Sequence, residues 1–296
     1  MAEGVAIPAP AAIIQQRGQR HETWLRFRRQ TPATVGLTVL LLLVLASVAA
    51  PLLTPYDPAK MRLSDAFIHP SVAHPLGTDH LGRDLLARLL YGGRLSLVIG
   101  FLAVGLGLVV GIPFGAISGY YGGWVDLLIQ RITDLLLSFP SVLLALSLVA
   151  VLGVGLENVV ISVGVSTIPA FIRLVRGSVL SIRGQAYVEA ARTVGVPDRD
   201  ILVRHILINA MAPVIVQATL SLGTTILVAA GLGFLGLGVQ SPTSEWGTML
   251  GEGRQYIFSA SYIATFPGLV IFLAVLSFNL VGDGLRDALD PRLRSR

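Results

Sequence analysis

Residues 187–213 read YVEAARTVGVPDRDILVRHILINAMAP, a charged, helix-forming island between two long apolar runs. Ala190 and Ala191 leave one face of its first half without bulky side chains, which favours a short helix lying against another surface. Gly195 supplies the left-handed backbone that ends such a helix. Asp198 is placed to cap a second helix, because aspartate accepts hydrogen bonds from free backbone N–H groups. The island therefore predicts a helix, a glycine turn and another helix.

The apolar runs on either side are typical of the whole chain. Hydrophobic residues make up 53% of its 296 residues, and only 13% are charged. The mean hydropathy is +0.74, whereas soluble domains carry about 25% charged residues. Lipid must therefore solvate much of the surface, and we expect an integral membrane protein.

Six uncharged stretches are long enough to cross a bilayer, which takes about 20 residues in a helix. They lie at residues 32–56, 95–125, 135–156, 158–172, 205–244 and 255–282. The fourth stretch is short, but Arg173 and Arg176 can extend their charged ends to the membrane surface. The fold class predicted is all-α, a polytopic membrane protein with six transmembrane helices.

The basic residues predict which segments lie in the cytoplasm. If the N-terminus is inside, the cytoplasmic segments hold most of the 22 Lys and Arg residues, as the positive-inside trend requires. Five basic residues go against the trend, because one outer segment holds Lys60, Arg62, Arg83, Arg88 and Arg94. We expect both termini in the cytoplasm.

This topology divides the chain into five parts. They are a cytoplasmic N-terminal segment (1–31), a first transmembrane helix (32–56), an extracytoplasmic segment with an amphipathic helix (57–94), a five-helix core with a cytoplasmic loop at 177–212 (95–282), and a cytoplasmic tail (283–296). Leucines at helical spacing predict the amphipathic helix. Asp79 is its expected cap, and Gly92 and Gly93 are expected to break it before the second span.

Small residues form a stripe in the second span. Ala103, Gly107, Gly111, Gly115 and Gly119 recur every four positions, which places them near one helix face. In lipid, such a face lets two helix backbones approach closely. The pattern fits either a helix that moves against a neighbour or one that packs inside an inert bundle.

The source of energy is expected to lie in another chain. None of the six uncharged stretches contains Asp, Glu, Lys or Arg, which a proton-coupled carrier usually holds in mid-membrane. Lys60 is the only lysine and stands in PAKM, so the chain has no phosphate-binding loop of the G-x-x-x-x-G-K-[ST] type. The absence of cysteine excludes thiolate catalysis and disulfides.

Several ordered blocks resemble the C-type permease subunit of the dipeptide, oligopeptide, glutathione and nickel importers of the ABC class. The blocks are GTD-x-x-GRD at 77–84, YGGRLSL at 91–97, FLGLG at 234–238, EWG at 245–247 and GDGLRDALDPR at 282–292. The island at 187–213 resembles the EAA loop of these permeases, which docks into the ATP-hydrolysing subunit. An ordinary amphipathic loop is the alternative.

The resemblance assigns roles to residues of the island. It implies that ATPase coupling falls to Glu189, Ala190, Ala191, Arg192, Gly195 and Asp198. One departure from the family is visible, because Leu207 and Ile208 stand where a Leu-Pro pair is usual after His205 and Ile206. The kink that this proline would place before the fifth span is left open, although Pro213 could supply it.

The resemblance also implies an importer-type ABC permease fold in the cytoplasmic (inner) membrane of a prokaryote. Its implied partners are a second permease subunit, two ATP-binding subunits, an extracytoplasmic solute-binding protein and membrane lipid, with no nucleic acid, no cofactor and no enzymatic activity of its own. The expected cargo is a short peptide, with nickel or glutathione as alternatives. A secondary carrier or channel and an assembly scaffold are alternatives of other classes.

Two further groups of residues have competing interpretations. His69, His74, His80 and Asp79 are the only cluster suited to a metal, but loop histidines more often hold none, and we predict no metal site. On the same outer side, the residues expected to meet a binding protein or to anchor the membrane interface are Glu157, Glu245, Trp246 and Arg254.

Overall fold

The computed structural model of the chain describes residues 16–289, with side chains from residue 23 onward. The helices are α1 (Gln16–Arg29), α2 (Thr31–Val48), α3 (Ala50–Leu53), α4 (Leu85–Tyr121), α5 (Gly123–Leu137), α6 (Ser141–Leu152), α7 (Leu156–Ile182), α8 (Ala186–Thr193), α9 (Asp198–Asp200), α10 (Ile208–Phe234), α11 (Trp246–Gly253) and α12 (Tyr262–Leu289). A π-helical turn at Ile201–Leu207 joins α9 to α10. The predicted all-α class is confirmed for the described residues. Parts of the predicted terminal segments, residues 1–15 and 290–296, lie outside them.

Five helical stretches in the described part are long and apolar enough to cross a membrane. They are Thr31–Val48, Leu85–Tyr121, Leu156–Ile182, Asp198–Phe234 and Tyr262–Leu289. Helices α5 and α6 pass the same test only together, and they are bent by 88° at the break between them. The prediction of six spans therefore holds only if the bent pair counts as one span.

The third predicted stretch, 135–156, is not one continuous helix, because it is broken at Pro140. Helix α5 ends at Leu137 and α6 begins at Ser141. Pro140 stands between them with an extended backbone, φ −54° and ψ 135°, at the cap position of α6. Proline has no N–H for the helix ladder and restricts the residue before it, so the apolar run is interrupted there.

The separate amphipathic helix predicted between residues 57 and 94 is also wrong. Helix α4 is continuous from Leu85, so the core begins ahead of the expected boundary at residue 95. Asp84, rather than Asp79, caps it by accepting a hydrogen bond from the backbone N–H of Ala87 at 2.7 Å. Gly92 and Gly93 remain helical, and a Cβ on Gly93 would collide with Ser47 of α2. Both glycines keep the helical conformation, so they do not break the helix. Their lack of a side chain lets neighbouring segments pack closely against α4.

The small-residue stripe of α4 lies against α7. Added Cβ atoms at Gly107, Gly111, Gly115 and Gly119 would all meet α7 atoms between residues 167 and 179. At Gly115 the carbonyl oxygen of Ile172 would be 2.7 Å away. Two backbones this close leave room only for glycine, so α4 and α7 pack tightly along their length.

Other spans end later than their uncharged cores suggest. Helix α7 runs past the predicted limit at residue 172, because Arg173 pairs with Asp134 at 2.6 Å and Arg176 pairs with Asp126 at 2.6 Å. Helix α12 likewise continues to Leu289, beyond the predicted end at residue 282. Charged side chains do not interrupt a helix ladder, whereas the hydropathy pattern counts them as ends.

Helix α10 ends earlier than predicted, within the FLGLG block. The N–H of Leu237 donates to the carbonyl of Leu232 at 2.9 Å, and the N–H of Gly236 donates to Gly233 at 2.9 Å. Gly236 has φ +81°. This is the glycine-dependent helix end called a Schellman motif. The block is therefore a helix stop, and residues 235–244 form a loop.

Candidate functional site

The island at 187–213 forms a short helix with a glycine end. Helix α8 is followed by Gly195, whose φ of +83° is the left-handed backbone predicted from the sequence. The N–H of Val196 donates to the carbonyl of Ala191 at 3.1 Å, and the N–H of Gly195 donates to Arg192 at 3.0 Å. The Schellman pattern thus folds the chain sharply back after α8.

One side of α8 is anchored in an apolar cluster. Val188 is fully buried, and Ala191 and Val196 are partly buried against the same cluster. The cluster also contains Val179 from α7 and Ile206 from the π-helical turn. Since a buried valine contributes about 1.5–3 kcal/mol, this contact holds α8 to the helix ends.

The opposite side of α8 is free of intramolecular cover. Glu189, Ala190 and Thr193 are exposed, and Val194 is 83% exposed. The Glu189 carboxylate forms no ion pair with any described residue. The segment therefore presents one carboxylate among small and apolar side chains, which is a surface suited to docking.

Asp198 does not cap α9, contrary to the sequence prediction. The cap position belongs to Pro197, and no side chain caps this helix. Instead, Asp198 Oδ1 accepts a hydrogen bond from the Tyr120 hydroxyl of α4 at 2.6 Å. The Arg192 guanidinium carbon lies 5.4 Å from the centroid of the same tyrosine ring. The role of Tyr120 cannot be predicted from the sequence, because its partners are distant in the chain and no motif marks it.

A π-helical turn, Ile201–Leu207, ends just before the position where the family usually has a proline ahead of the fifth span. The carbonyl of His205 accepts hydrogen bonds from Tyr187 Oη at 3.2 Å and from Asn209 Nδ2 at 2.6 Å. Side chains thus satisfy a backbone group at the irregular turn. Pro213 lies inside α10 rather than at its start. The backbone before the fifth span is therefore irregular at the π-helical turn, although no proline stands there.

A buried ionic cluster joins the GTD-x-x-GRD block to α4 and α11. Asp79 Oδ2 accepts hydrogen bonds from Arg83 Nε at 2.6 Å and from Arg88 Nη1 at 2.5 Å. Glu252 Oε2 accepts from Arg83 Nη2 and Arg88 Nη1, both at 2.8 Å. We call Asp79, Arg83, Arg88 and Glu252 the ionic cluster. Its two positive charges balance its two carboxylates.

The ionic cluster changes the acidity of Asp79. Burial on its own would raise the pKa of Asp79, but Arg88 and Arg83 beside the carboxylate lower it below the usual value of 3.8. Backbone N–H groups of Arg83 and Leu81 lower the pKa further by donating to the same carboxylate. Asp79 therefore remains charged although it is fully buried.

Comparison with known proteins identifies the family. Residues 111–295 match the family "Binding-protein-dependent transport system inner membrane component", and residues 18–70 match "N-terminal TM domain of oligopeptide transport permease C". The chain is a permease of this family. It is an ABC importer permease, a multi-pass inner-membrane subunit of the type that works together with ATP-binding subunits. It is a translocation subunit and not an enzyme.

Curated relatives match the permease over nearly its whole length. The dipeptide transport system permease protein DppC of Alkalihalophilus pseudofirmus is 48% identical over 274 residues, which cover 93% of this chain and 90% of the relative. The glutathione transport system permease protein GsiD of Escherichia coli is 47% identical over 281 residues, covering 95% and 93%. GsiD of Pectobacterium atrosepticum is 45% identical over 297 residues, covering 98% of each chain.

Among solved structures, the permease resembles a chain of the MetNI methionine ABC transporter in an inward-facing conformation. The TM-score is 0.57 at 20% identity, and the match covers 69% of this chain and 97% of that one. This likeness confirms the predicted importer-type ABC permease fold.

Glu245 and Trp246 of the EWG block are buried among the helices. This is contrary to the prediction that they are available on the outer side to meet a binding protein. Glu245 is 3% exposed and caps α11 by accepting from the N–H groups of Gly247 and Thr248 at 2.9 and 2.8 Å. Trp246 is 1% exposed, and its Nε1 donates to the Leu89 carbonyl at 2.9 Å. Helix α11 packs against α10 and α12 and contacts α4 through Trp246, which sequence spacing does not reveal. Glu157 and Arg254 are exposed.

The three histidines at positions 69, 74 and 80 do not converge on one point. His69 packs against Tyr262, whereas the Nδ1 of His74 lies 2.8 Å from Asp84 Oδ2. His80 stacks on Tyr256 with ring centroids 5.2 Å apart. It shares a group of possible ligand atoms with Asp79 and Glu252, whose oxygens already accept hydrogen bonds from guanidinium groups. Burial lowers the pKa of His80 below 6.5 despite the nearby carboxylates.

Proposed function

We propose that this permease imports short peptides, dipeptides or oligopeptides, with energy from ATP hydrolysed by separate subunits. The exposed face of α8 carries the coupling part of the proposal, because a docking surface anchored by Val188 can move with whatever binds it. The cargo part is supported by the 48% identity to a dipeptide permease.

The coupling residues have distinct proposed roles. Glu189, Ala190 and Ala191 would fit a groove on the ATP-binding subunit, with the Glu189 carboxylate as the anionic contact. Arg192 and Asp198 would hold the segment against α4 through Tyr120. Gly195 would set the angle between the two arms of the segment.

The proposed complex contains this chain, a second permease subunit, two ATP-binding subunits and an extracytoplasmic solute-binding protein. Both termini would lie in the cytoplasm, on the same side as α8. The stripe from Gly107 to Gly119 would allow α4 and α7 to move as one tightly packed pair.

In the proposed cycle, ATP closes the two ATP-binding subunits and α8 moves with them. The helices attached to α8 then turn the pore toward the outside, where the binding protein delivers its cargo. Hydrolysis reverses the movement. The helix pairs would shift as rigid units, since packed helices have discrete arrangements and do not deform continuously.

Glutathione is a second candidate cargo. It is favoured by the 47% identity to a glutathione permease over 95% of this chain. Both candidates are small peptides, so one pathway of the same general width and polarity would suit either.

Uptake by the complete complex tests the proposal. Liposomes holding both permeases and both ATP-binding subunits, with the binding protein outside, should accumulate a labelled dipeptide only when ATP is inside. Labelled glutathione, tested in a parallel assay, should fail to accumulate if dipeptides are the cargo, and it should be the compound that accumulates if glutathione is. Uptake that persists without ATP but with an ion gradient would contradict an ABC importer.

A further inference from the structure

The C-terminal end of α4 holds both arms of the coupling segment through a single side chain. Tyr120 is 7% exposed. Its hydroxyl donates to Asp198 at 2.6 Å, and its ring lies 5.4 Å beneath the guanidinium carbon of Arg192. Arg192 comes before the Gly195 turn and Asp198 comes after it. Tyr120 therefore contacts residues on both sides of the turn.

The same end of α4 is joined to α7. Arg183 Nη1 donates to the Gly119 carbonyl at 2.9 Å and to the Tyr120 carbonyl at 3.4 Å. A Cβ on Gly119 would lie 2.9 Å from the Arg176 carbonyl, so the helices are in close contact there. A displacement of Tyr120 must therefore carry the ends of both helices with it.

The other contacts of α8 give no directional bond to the α4–α7 pair among the described residues. The Tyr187 hydroxyl donates to the His205 carbonyl at 3.2 Å, which joins α8 to the π-helical turn instead. The buried side chain of Val188 makes apolar contacts, which are not directional and permit sliding. A hydroxyl that donates to a carboxylate fixes both distance and angle, and it is stronger than a bond between neutral groups. The bond from Tyr120 to Asp198 is such a link between α4 and the segment.

We propose that Tyr120 is a positioning residue that transmits movement of α8 to the α4–α7 pair. The inference rests on the proposed role of α8 in coupling. It assigns to Tyr120 no contact with ATP or cargo. Loss of the hydroxyl should therefore leave docking intact and reduce the transport obtained from each ATP hydrolysed.

Tyr121 provides a matched control on the next residue. It is 56% exposed, and its ring meets the edge of Tyr120 with centroids 5.2 Å apart. Its hydroxyl makes no hydrogen bond to a described residue. Replacing either tyrosine by phenylalanine removes one oxygen and keeps the ring, so the two variants differ only in the bond to Asp198.

The main experiment compares the parent complex, Tyr120→Phe and Tyr121→Phe in liposomes. Cargo uptake, ATP hydrolysis and the amount of co-purified ATP-binding subunit are measured on each preparation. We expect transport per ATP to fall by about tenfold or more in Tyr120→Phe, the factor for losing a hydrogen bond to a charged group. Co-purification should match the parent in both variants, and Tyr121→Phe should also transport like the parent.

A distance measurement separates positioning from a general loss of stability. The chain has no cysteine, so spin labels can be placed at introduced cysteines replacing Phe114 on α4 and Val194 after α8, both exposed. The distance distribution should broaden in Tyr120→Phe and stay narrow in Tyr121→Phe. Adding Asp198→Ala to Tyr120→Phe should bring little further loss, since both changes remove one bond.

The outcomes distinguish a failure of the inference about Tyr120 from a failure of the proposed function. If the parent couples ATP to uptake and Tyr120→Phe does so equally well, the role of Tyr120 is wrong and the coupling site stands. If the parent neither binds ATP-binding subunits nor needs ATP, both proposals fail. An unchanged distance distribution together with reduced transport would also overturn the positioning role.

Discussion

Arg83 and Glu252 lie 169 residues apart in the chain, yet Arg83 Nη2 donates to Glu252 Oε2 at 2.8 Å. Arg83 is fully buried, and the Glu252 side chain is 20% exposed. This contact joins the GTD-x-x-GRD block to α11, which begins within the EWG block. The GTD-x-x-GRD block and α11 are therefore held together by one ionic cluster.

Loss of Arg83 should destabilise the permease. Arg83→Leu leaves Asp79 and Glu252 with one cation between them, and removing one partner of a buried pair costs about 3–5 kcal/mol. The melting temperature of the purified complex measures the effect. Arg62→Leu is the control, because Arg62 is 55% exposed and 3.9 Å from Asp65, a pair worth about 0–1 kcal/mol. Equal melting temperatures in the two variants would contradict a structural role for the cluster.

Acidification should lower the stability of the permease through His80. Because burial lowers the pKa of His80 in the fold, the folded state favours the neutral ring. This contribution is present above about pH 6.5 and is lost as the pH falls through the lower folded pKa. The contribution of Asp79, whose pKa is lowered from 3.8, is lost only at more acidic pH. The charged groups that act on His80 are Asp79, Glu252, Arg83 and Arg88.

Melting curves at pH 7.5 and 5.5 check this pH dependence. The parent should lose more stability between the two values than His80→Gln does. The exposed His69 offers a control, and His69→Gln should respond to pH like the parent. If His80→Gln and the parent respond alike, His80 does not cause the pH dependence.

Bulky residues in the α4 stripe should separate α4 from α7. Gly115→Leu and Gly111→Leu would place side chains where a Cβ alone already meets α7, and overpacking costs about 1–3 kcal/mol. Gly105→Leu is the control, because a Cβ there meets nothing within 4 Å. Uptake and complex yield should fall for the first two variants, while insertion into the bilayer continues. Full uptake in all three would contradict close packing.

Changes in the coupling segment should uncouple transport. Glu189→Ala removes the proposed anionic contact, and Gly195→Asp forces a side chain into the left-handed region at a cost of about 1–2 kcal/mol. Both should reduce co-purification of ATP-binding subunits and uptake. Gly184→Asp is a control in the loop before α8, because Gly184 has open space and no positive φ. Normal co-purification and uptake in the first two variants would refute the docking assignment.

The orientation can be checked with introduced cysteines at two exposed arginines. Position 62 should react with an impermeant thiol reagent in intact cells, and position 199 should react only after the membrane is opened. The absence of native cysteine removes background labelling. The reverse pattern would place α8 outside and would end the proposed coupling role.

Features that depend on neighbouring residues could be predicted from the sequence. Long apolar runs must be helices in a membrane, because lipid leaves backbone groups no other partner. Gly195 predicted a left-handed helix end because only glycine adopts that backbone at little cost. The repeat from Gly107 to Gly119 predicted a thin helix face, although not the helix that lies against it.

Features that depend on distant residues appear only in the tertiary structure. The bond from Tyr120 to Asp198 crosses 78 residues, and no local pattern marks either partner. Glu245 and Trp246 read as an outer loop, yet the backward turn of α11 buries them. The sequence by itself therefore determined the membrane helices, the glycine turn and the family motifs. Only the packing of the helices decided which charges are paired and which segments are tied together, because such contacts form between residues that the fold alone brings within reach.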